Sequence, residues 1–307
     1  MRQRYPHFSA SDTERAGVSE PEHGWGGPWT ERKLEAFAKY VRAYLTIMKN
    51  QPHWKKIYFD GFAGSGTRDV ENSKLKQQLS ILPEEEALYK GSAERVLAID
   101  GFAFDFYYFI DHDEGALTQL RERLEGLPQS AGKKLIFRPG DCNSHLLDLA
   151  NALKQNQTYA ALVFLDPFGM QVKWESIEAL RGTRSDVWIL IPSGVIVNRL
   201  LDKKGELQNV QKLETFFGLS EQEIRERFYK TEVSPTLFGQ EEQISKITRP
   251  IERIAEIYVE RLKTVWTHVT EKPLCLRNSR GVPIFHFVFA SGNPTAKKIA
   301  AQILDKT

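Results

Sequence analysis

A glycine-rich stretch directly after an apolar segment carries the first residues that could do chemistry. Residues 57–59 are apolar and β-prone, and the stretch from Asp60 to Thr67 follows them at once. Its glycines allow positive φ and a close ligand approach, and its backbone N–H groups suit an anionic or polar ligand. Gly61, Gly64 and Gly66 have the spacing Gly-x-x-Gly-x-Gly, whereas dinucleotide sites have Gly-x-Gly-x-x-Gly. The spacing therefore disfavours a nicotinamide-dependent oxidoreductase.

Polar residues follow three further apolar segments in the same way. Segments 106–110, 135–137 and 160–165 are predicted strands, and an aspartate comes soon after each of them. Because ligands bind outside the carboxyl ends of parallel strands in open α/β folds, the sequence predicts one shared site there. The polar sequences are Asp111-His112-Asp113, Asp141-Cys142-Asn143 and Asp166-Pro167-Phe168-Gly169.

The elements that must position these residues follow an α/β pattern. A fifth apolar strand covers 187–191, and helical periodicity separates the five strands, which indicates a parallel sheet covered on both faces. Segments 274–277 and 283–289 flank a turn and predict an antiparallel hairpin. Five parallel strands plus a C-terminal antiparallel hairpin are the pattern of the Rossmann-like, seven-stranded class I methyltransferase sheet.

The pattern divides the chain into several parts. Residues 1–28 are polar and punctuated by Gly and Pro, which predicts an irregular N-terminal arm. Residues 29–194 and 265–307 are expected to form the methyltransferase-like α/β domain. The strand–helix alternation stops over residues 195–264, which predicts a helical insertion, and residues 68–90 predict an inserted loop.

Composition argues against several classes of protein. The chain has 307 residues and 41% hydrophobic residues, enough for a substantial core. Its two cysteines, Cys142 and Cys275, are isolated, so neither a disulfide framework nor a metal site is expected. The longest apolar runs have strand length and the N-terminus has no apolar signal segment, so we expect no membrane contact and a cytoplasmic location. The net charge of +2 neither indicates nor excludes nucleic acid.

The glycine-rich stretch resembles motif I of S-adenosylmethionine-dependent methyltransferases, in the Asp-x-Phe-x-Gly-x-Gly variant of enzymes that methylate amino groups. Over most of its length, the chain is similar to the three-Cys-motif partner family, which is regarded as methyltransferase-like. The family's name reflects genes found beside those of a separate protein with three cysteines, which is therefore a possible partner. The resemblance is carried by Pro28-Trp29-Thr30, Lys33-Leu34, Asp60-Gly61-Phe62-Ala63-Gly64, Phe109-Ile110-Asp111, Leu165-Asp166-Pro167-Phe168-Gly169 and Arg277-Asn278-Ser279.

The resemblance implies S-adenosylmethionine as the cofactor. Asp60 and the following turn would hold its amino-acid portion, and Gly66 would open the next helix. Asp111 would accept the ribose hydroxyls and Asp141 the adenine amino group; the alternatives are a helix-capping aspartate and a turn aspartate. The implied cofactor-binding residues are Asp60, Gly61, Phe62, Ala63, Gly64, Gly66, Asp111, His112, Asp141, Cys142 and Asp166.

The segment Asp166-Pro167-Phe168-Gly169 occupies the place of the Asp-Pro-Pro-Tyr motif of amino methyltransferases. In those enzymes the carboxylate and the proline carbonyl polarise the target amine, and the aromatic ring stacks on a flipped base. The resemblance implies Asp166, Pro167 and Phe168 as catalytic residues, with Phe168 stacking from a shifted position. The alternative is a tight turn in which Pro167 presets φ.

These observations favour a methyltransferase that acts on an amine or hydroxyl of a nucleic acid, the substrate class being expected by analogy alone. The alternative is a partner or scaffold protein with the methyltransferase fold. Such a protein would bind the cofactor or a three-Cys-motif protein without methylating nucleic acid.

Overall fold

A mostly parallel sheet forms the centre of the computed structural model, which describes residues 28–64, 91–203, 205–236, 239–278 and 280–307. The strands are β1 (Lys55–Asp60), β2 (Phe106–Asp111), β3 (Leu135–Pro139), β4 (Tyr159–Leu165), β5 (Ser185–Ile191), β6 (Tyr229–Thr236), β7 (Gly239–Lys246), β8 (His268–Val269), β9 (Leu274–Arg277) and β10 (Pro283–Ser291). The five strands β3-β2-β1-β4-β5 lie side by side in that order and run parallel. Strand β10 pairs antiparallel with β5, and β8 and β9 both pair antiparallel with β10.

Helices connect most of these strands. They are α1 (Pro28–Lys49), α2 (Gly91–Leu97), α3 (Glu114–Glu125), α4 (Cys142–Gln155), α5 (Trp174–Glu178), α6 (Val195–Asn198), α7 (Val210–Phe217), α8 (Glu221–Phe228), α9 (Pro250–Leu262) and α10 (Pro294–Leu304), with a short 3₁₀ helix at Pro128–Ser130. The mixed α/β class with a mostly parallel central sheet is confirmed. No helix in the described ranges is long and apolar enough to cross a membrane.

The structure differs from the sequence-based prediction at two places. Within the described ranges the central sheet has eight strands, whereas seven were predicted, because the two-residue strand β8 also pairs with β10. The segment predicted as a purely helical insertion also contains the antiparallel hairpin β6–β7. The alternating β-prone residues Thr231, Val233 and Ile244 explain this hairpin, since Thr231 lies opposite Ile244 across the two strands.

Helix α1 is fixed to the sheet by an aromatic stripe. Phe37 stacks on Phe164 of β4 with ring centroids 4.1 Å apart, and Tyr40 contacts Trp188 of β5 at 5.3 Å. The Tyr40 hydroxyl also donates to Asp186 Oδ2 at 2.6 Å. These contacts hold the start of α1 beside the carboxyl ends of the parallel strands, where the polar residues predicted from sequence lie.

Some sequence-based expectations concern residues outside the described ranges. They are the arm over residues 1–27, Gly66, and the inserted loop predicted over residues 68–90.

Candidate functional site

The turn after β1 is held between its two neighbouring strands. Gly61 N donates to Phe164 O of β4 at 3.0 Å, and Ala63 N donates to Ile110 O of β2 at 2.8 Å. A Cβ on Gly61 would lie 2.6 Å from Cys142 Sγ and 2.8 Å from a methyl group of Leu165. Gly61 therefore has no room for a side chain, because this turn passes directly against α4 and β4.

Asp60 ends β1 as a fully buried carboxyl group with 0% exposure. Its Oδ2 accepts from the Tyr58 hydroxyl at 2.9 Å and from Ser92 Oγ at 3.3 Å, and its Oδ1 accepts from Phe62 N at 3.3 Å. Burial, helped by the charge of Asp166, raises the pKa of Asp60 to about 7, even though these hydrogen bonds act to lower it. Such a carboxyl group gains stability from any cation that enters the site.

Asp111 ends β2 beside the same turn. Its Oδ2 accepts from Gly64 N at 3.0 Å, and its Oδ1 accepts from Asp113 N at 2.9 Å. Burial raises the pKa of Asp111, and these two backbone hydrogen bonds oppose the shift. The cap of α3 is Asp113, whose Oδ1 accepts from Ala116 N at 3.0 Å. The helix-cap alternative for Asp111 is therefore wrong. His112, the next residue, is exposed, and its charge lowers the pKa of Asp111.

Asp141 lies at the start of α4, outside the buried part of the site. It is exposed and accepts from Asn143 Nδ2 at 2.9 Å and from Ser144 Oγ at 3.3 Å. Partial burial, which raises the pKa of Asp141, is outweighed by hydrogen bonds from Asn143 and Ser144, so the pKa lies below its ordinary value. Cys142 is buried against Gly61, and burial raises the pKa of its thiol well above the ordinary value.

Asp166, directly after β4, forms a buried ion pair with Lys33 of α1. Lys33 Nζ lies 2.5 Å from Asp166 Oδ2, and the two side chains are 0% and 4% exposed. Burial lowers the pKa of Lys33, although the charges of Asp166 and Asp60 raise it. The structure thus brings three aspartates, Asp60, Asp111 and Asp166, together with one lysine at the carboxyl ends of β1, β2 and β4.

Lys33 is the principal site residue that sequence reasoning missed as a contributor of chemistry. A signal for it was present, because Lys33 lies in the apolar stripe of α1, four residues before Phe37. A lysine at such a position is buried only if it finds a partner, and the pattern of α1 gives no indication which acid that partner is.

The segment Pro167–Gly169 is buried. Phe168 is only 3% exposed, and Gly169 N donates to Gln171 Oε1 at 2.6 Å. A ring that stacks on a base needs an accessible face. In this conformation the ring of Phe168 is packed into the core cluster.

A second buried polar pair lies at the carboxyl end of β5 and was not predicted from the sequence. Ser193 Oγ and His286 Nδ1 are 2.5 Å apart, and both side chains are buried. Burial lowers the pKa of His286 to about 4, so the imidazole is neutral near pH 7. The pair bridges β5 and β10 at the edge of the sheet that carries Asp166.

A possible metal position and a separate cavity are two further candidates for a site. No group of three or more His, Cys, Asp or Glu side chains converges on a possible metal position within the ranges that the structure describes. A cavity of about 320 Å³ lies between α4 and the sheet, lined among others by Phe59, Tyr108, Arg138 and His145. Its lining does not include Asp60, Asp111 or Asp166, so it is distinct from the predicted site.

Comparisons with known proteins give a fold neighbour and no family. No family model matches the chain, and no curated protein matches it. Among solved structures, the chain is similar to the crystal structure of protein LPL1258 from Legionella pneumophila str. Philadelphia 1, of the family model DUF519. The TM-score is 0.39 at 16% identity, with 89% of this chain and 99% of that chain covered. A similarity of this size carries no argument about function.

Proposed function

We propose that this chain is an S-adenosylmethionine-dependent methyltransferase that acts on an amine or hydroxyl of a nucleic acid. The observation that carries the proposal is the burial of Asp60, Asp111 and Asp166 at the carboxyl ends of three adjacent strands, around a glycine turn. Burial raises the pKa values of Asp60 and Asp111, and carboxyl groups of this kind cluster at functional sites more often than elsewhere. The sheet order, with β10 inserted antiparallel beside β5, also suits the class I methyltransferase fold.

The side chains present fit the proposed cofactor. Asp60 is a buried carboxyl group that an ammonium would stabilise, so it suits the amino group of the methionine portion. Asp111 lies at the end of the neighbouring strand, where its carboxylate suits a pair of ribose hydroxyls. Asp141 and Cys142 are proposed for the adenine end. When bound, S-adenosylmethionine would supply an electrophilic methyl group on a positively charged sulfur.

Asp166 is the proposed positioning group for the acceptor. The lone pair of the acceptor nitrogen or oxygen would form the new bond to the methyl carbon as the carbon–sulfur bond breaks. The electron pair of that bond would stay on sulfur, with S-adenosylhomocysteine as the leaving group, and the acceptor proton would pass to Asp166 or to water. Catalysis would rest mainly on orienting the acceptor, since a well-oriented intramolecular reaction needs little further assistance. The proposed kinship with the three-Cys-motif partner family belongs to the same proposal.

One observation favours the partner or scaffold alternative. The ring of Phe168 is covered, so base methylation by stacking on this ring requires a rearrangement of the segment. The proposal therefore assigns the orientation of the acceptor to Asp166 and Pro167, and Phe168 is a core residue. A protein that binds the cofactor without methyl transfer would have the same carboxylates and the same turn.

Calorimetric titration of S-adenosylmethionine tests the proposal directly. We expect saturable binding by the wild type and a loss of at least about tenfold in affinity for Asp111→Ala, which corresponds to about 1.4 kcal/mol. Asp148→Ala, which removes an exposed carboxylate on α4, is the matched control and should bind like the wild type. Absence of saturable binding in the wild type would end the methyltransferase proposal.

Transfer of a labelled methyl group into total cellular RNA, DNA and protein then separates the two candidates. Label in a nucleic acid that disappears with Asp166→Ala supports the enzyme. Cofactor binding with no label in any of these fractions supports the partner or scaffold protein.

A further inference from the structure

Lys33, which forms a buried ion pair with Asp166, has no role of its own in the function proposed so far. The two side chains of this pair are 0% and 4% exposed and come from elements that are far apart in sequence, α1 and the end of β4. Burying a single charge is strongly unfavourable, whereas a hydrogen-bonded pair of opposite charges offsets much of that cost. The pair therefore behaves as one unit with no net charge.

The pair lies beside the proposed methyl-transfer position. Asp166 interacts electrostatically with Asp60, and Asp60 with Lys33, so these three ionisable groups share one buried region. Tyr58 lies in the same region. Its hydroxyl donates to Asp60, and the charge of Asp166 helps to raise its pKa. In such a region each added or removed unit charge changes ligand affinity strongly, because little water is present to screen it.

We propose, on the basis of the function proposed above, that Lys33 determines the class of methyl acceptor by neutralising Asp166. With its charge compensated, Asp166 can orient an uncharged acceptor such as an exocyclic base amine, an amide or a hydroxyl. An ammonium such as a lysine side chain would place a further positive charge beside Lys33 and the cofactor sulfonium. It also has no lone pair until it loses a proton. Lys33 is thus a positioning residue that acts through Asp166.

The charge at this position can be measured without any acceptor by comparing the binding of two forms of the cofactor. S-adenosylmethionine and S-adenosylhomocysteine differ by one methyl group and one positive charge. Calorimetry gives the dissociation constant of each ligand. The ratio used here is the dissociation constant of S-adenosylhomocysteine divided by that of S-adenosylmethionine. A change that only loosens the packing of α1 weakens both ligands alike and leaves this ratio constant.

Lys33→Met adds one uncompensated negative charge, so the ratio should rise by at least about tenfold. Asp166→Asn adds one uncompensated positive charge, so the ratio should fall by about the same factor. The double variant Lys33→Met/Asp166→Asn is again neutral, and its ratio should lie within about threefold of the wild type. This double variant also keeps the test valid if Lys33→Met alone fails to fold.

A ratio that stays constant in all variants that bind would overturn the role of Lys33 and leave the methyltransferase proposal intact. A wild type that binds neither ligand would overturn both.

The acceptor class is tested by labelled methyl transfer to total RNA and to poly-L-lysine, with at least about tenfold preference for RNA expected. Equal labelling of poly-L-lysine would overturn the proposed acceptor class. Labelling of neither acceptor, despite cofactor binding, would count against methyl transfer itself, while the ratio still tests Lys33.

Discussion

The two ends of strand β1 hold an aspartate in opposite environments. At the amino end, Asp105 accepts from Lys56 N at 2.8 Å and pairs with Lys56 Nζ at 3.2 Å, with 26% of its side chain exposed. At the carboxyl end, Asp60 is fully buried and its nearest hydrogen-bond donors are uncharged. Partial burial, which raises the pKa of Asp105, is outweighed by hydrogen bonds and charge from Lys56, whereas burial raises the pKa of Asp60 to about 7.

This difference separates structural polar groups from functional ones. In the Lys56–Asp105 pair at the amino end, both charges stay partly in water. Forming this pair therefore has a small desolvation cost and contributes little to the stability of the fold. The carboxyl end buries three carboxyl groups and one ammonium in one region, an arrangement that destabilises the folded state unless a ligand benefits from it. The carboxyl end is therefore the region in which we propose the function to lie, and the following changes test that proposal.

Breaking the ion pair at each end should give the largest difference. Lys33→Met removes the buried ammonium that lies 2.5 Å from Asp166 Oδ2, so the free energy of unfolding should fall by about 3–5 kcal/mol. Lys56→Met at the amino end should cost at most about 1 kcal/mol, since that pair is partly exposed. Urea titration at pH 7 measures both. Equal losses would show that the two ends do not differ in the way proposed.

The pH dependence of stability should have opposite signs for the two aspartates. Between about pH 4 and 7, folded Asp60 keeps a proton that the unfolded chain releases, so its contribution to stability falls as pH rises, by up to about 1.4 kcal/mol per pH unit. The difference in unfolding free energy between wild type and Asp60→Asn should show this slope. Asp105→Asn is the control, because a lowered pKa contributes stability that is lost only as pH falls below about 4. A flat difference for Asp60→Asn would contradict its raised pKa.

Glycine substitutions give the smallest expected effect. In Gly61→Ala the new methyl group meets Cys142 Sγ and Leu165, which should destabilise the protein by about 1–3 kcal/mol. Gly292 follows β10, which runs antiparallel, so it lies at the amino end of the parallel strands and has no atom within 4 Å of an added Cβ. Gly292→Ala should change the unfolding free energy by less than about 0.5 kcal/mol. Thermal unfolding of both variants checks the contrast.

Local sequence patterns were sufficient for the parts of the site that lie directly after strands. Apolar strand segments followed by an aspartate placed Asp60, Asp111 and Asp166 at one edge of the sheet, because parallel strands align their carboxyl ends. Patterns could not decide which of Asp111 and Asp113 caps α3, since that choice depends on backbone geometry two residues apart. They also could not join Lys33 to Asp166, because this contact forms only when α1 packs across the sheet onto β4.

The hairpin β6–β7 was missed for a different reason. Pro235 and Gly239 fit a break between two helices as well as they fit a connection between two antiparallel strands, so they do not distinguish the two. The alternation of β-prone residues is limited to a few positions such as Thr231, Val233 and Ile244, and the two strands pair with each other outside the central sheet. Short isolated hairpins leave little periodic signal in a sequence.

The position of β10 has a consequence for synthesis on the ribosome. β10 lies between β5 and the pair β8 and β9, although it follows all of them in chain order. Until it emerges, β5 presents an unpaired edge with the apolar residues Val187, Trp188 and Ile189. Unpaired apolar edges recruit other chains, so the β5 edge is the part of the central sheet most exposed to aggregation until β10 has been synthesised.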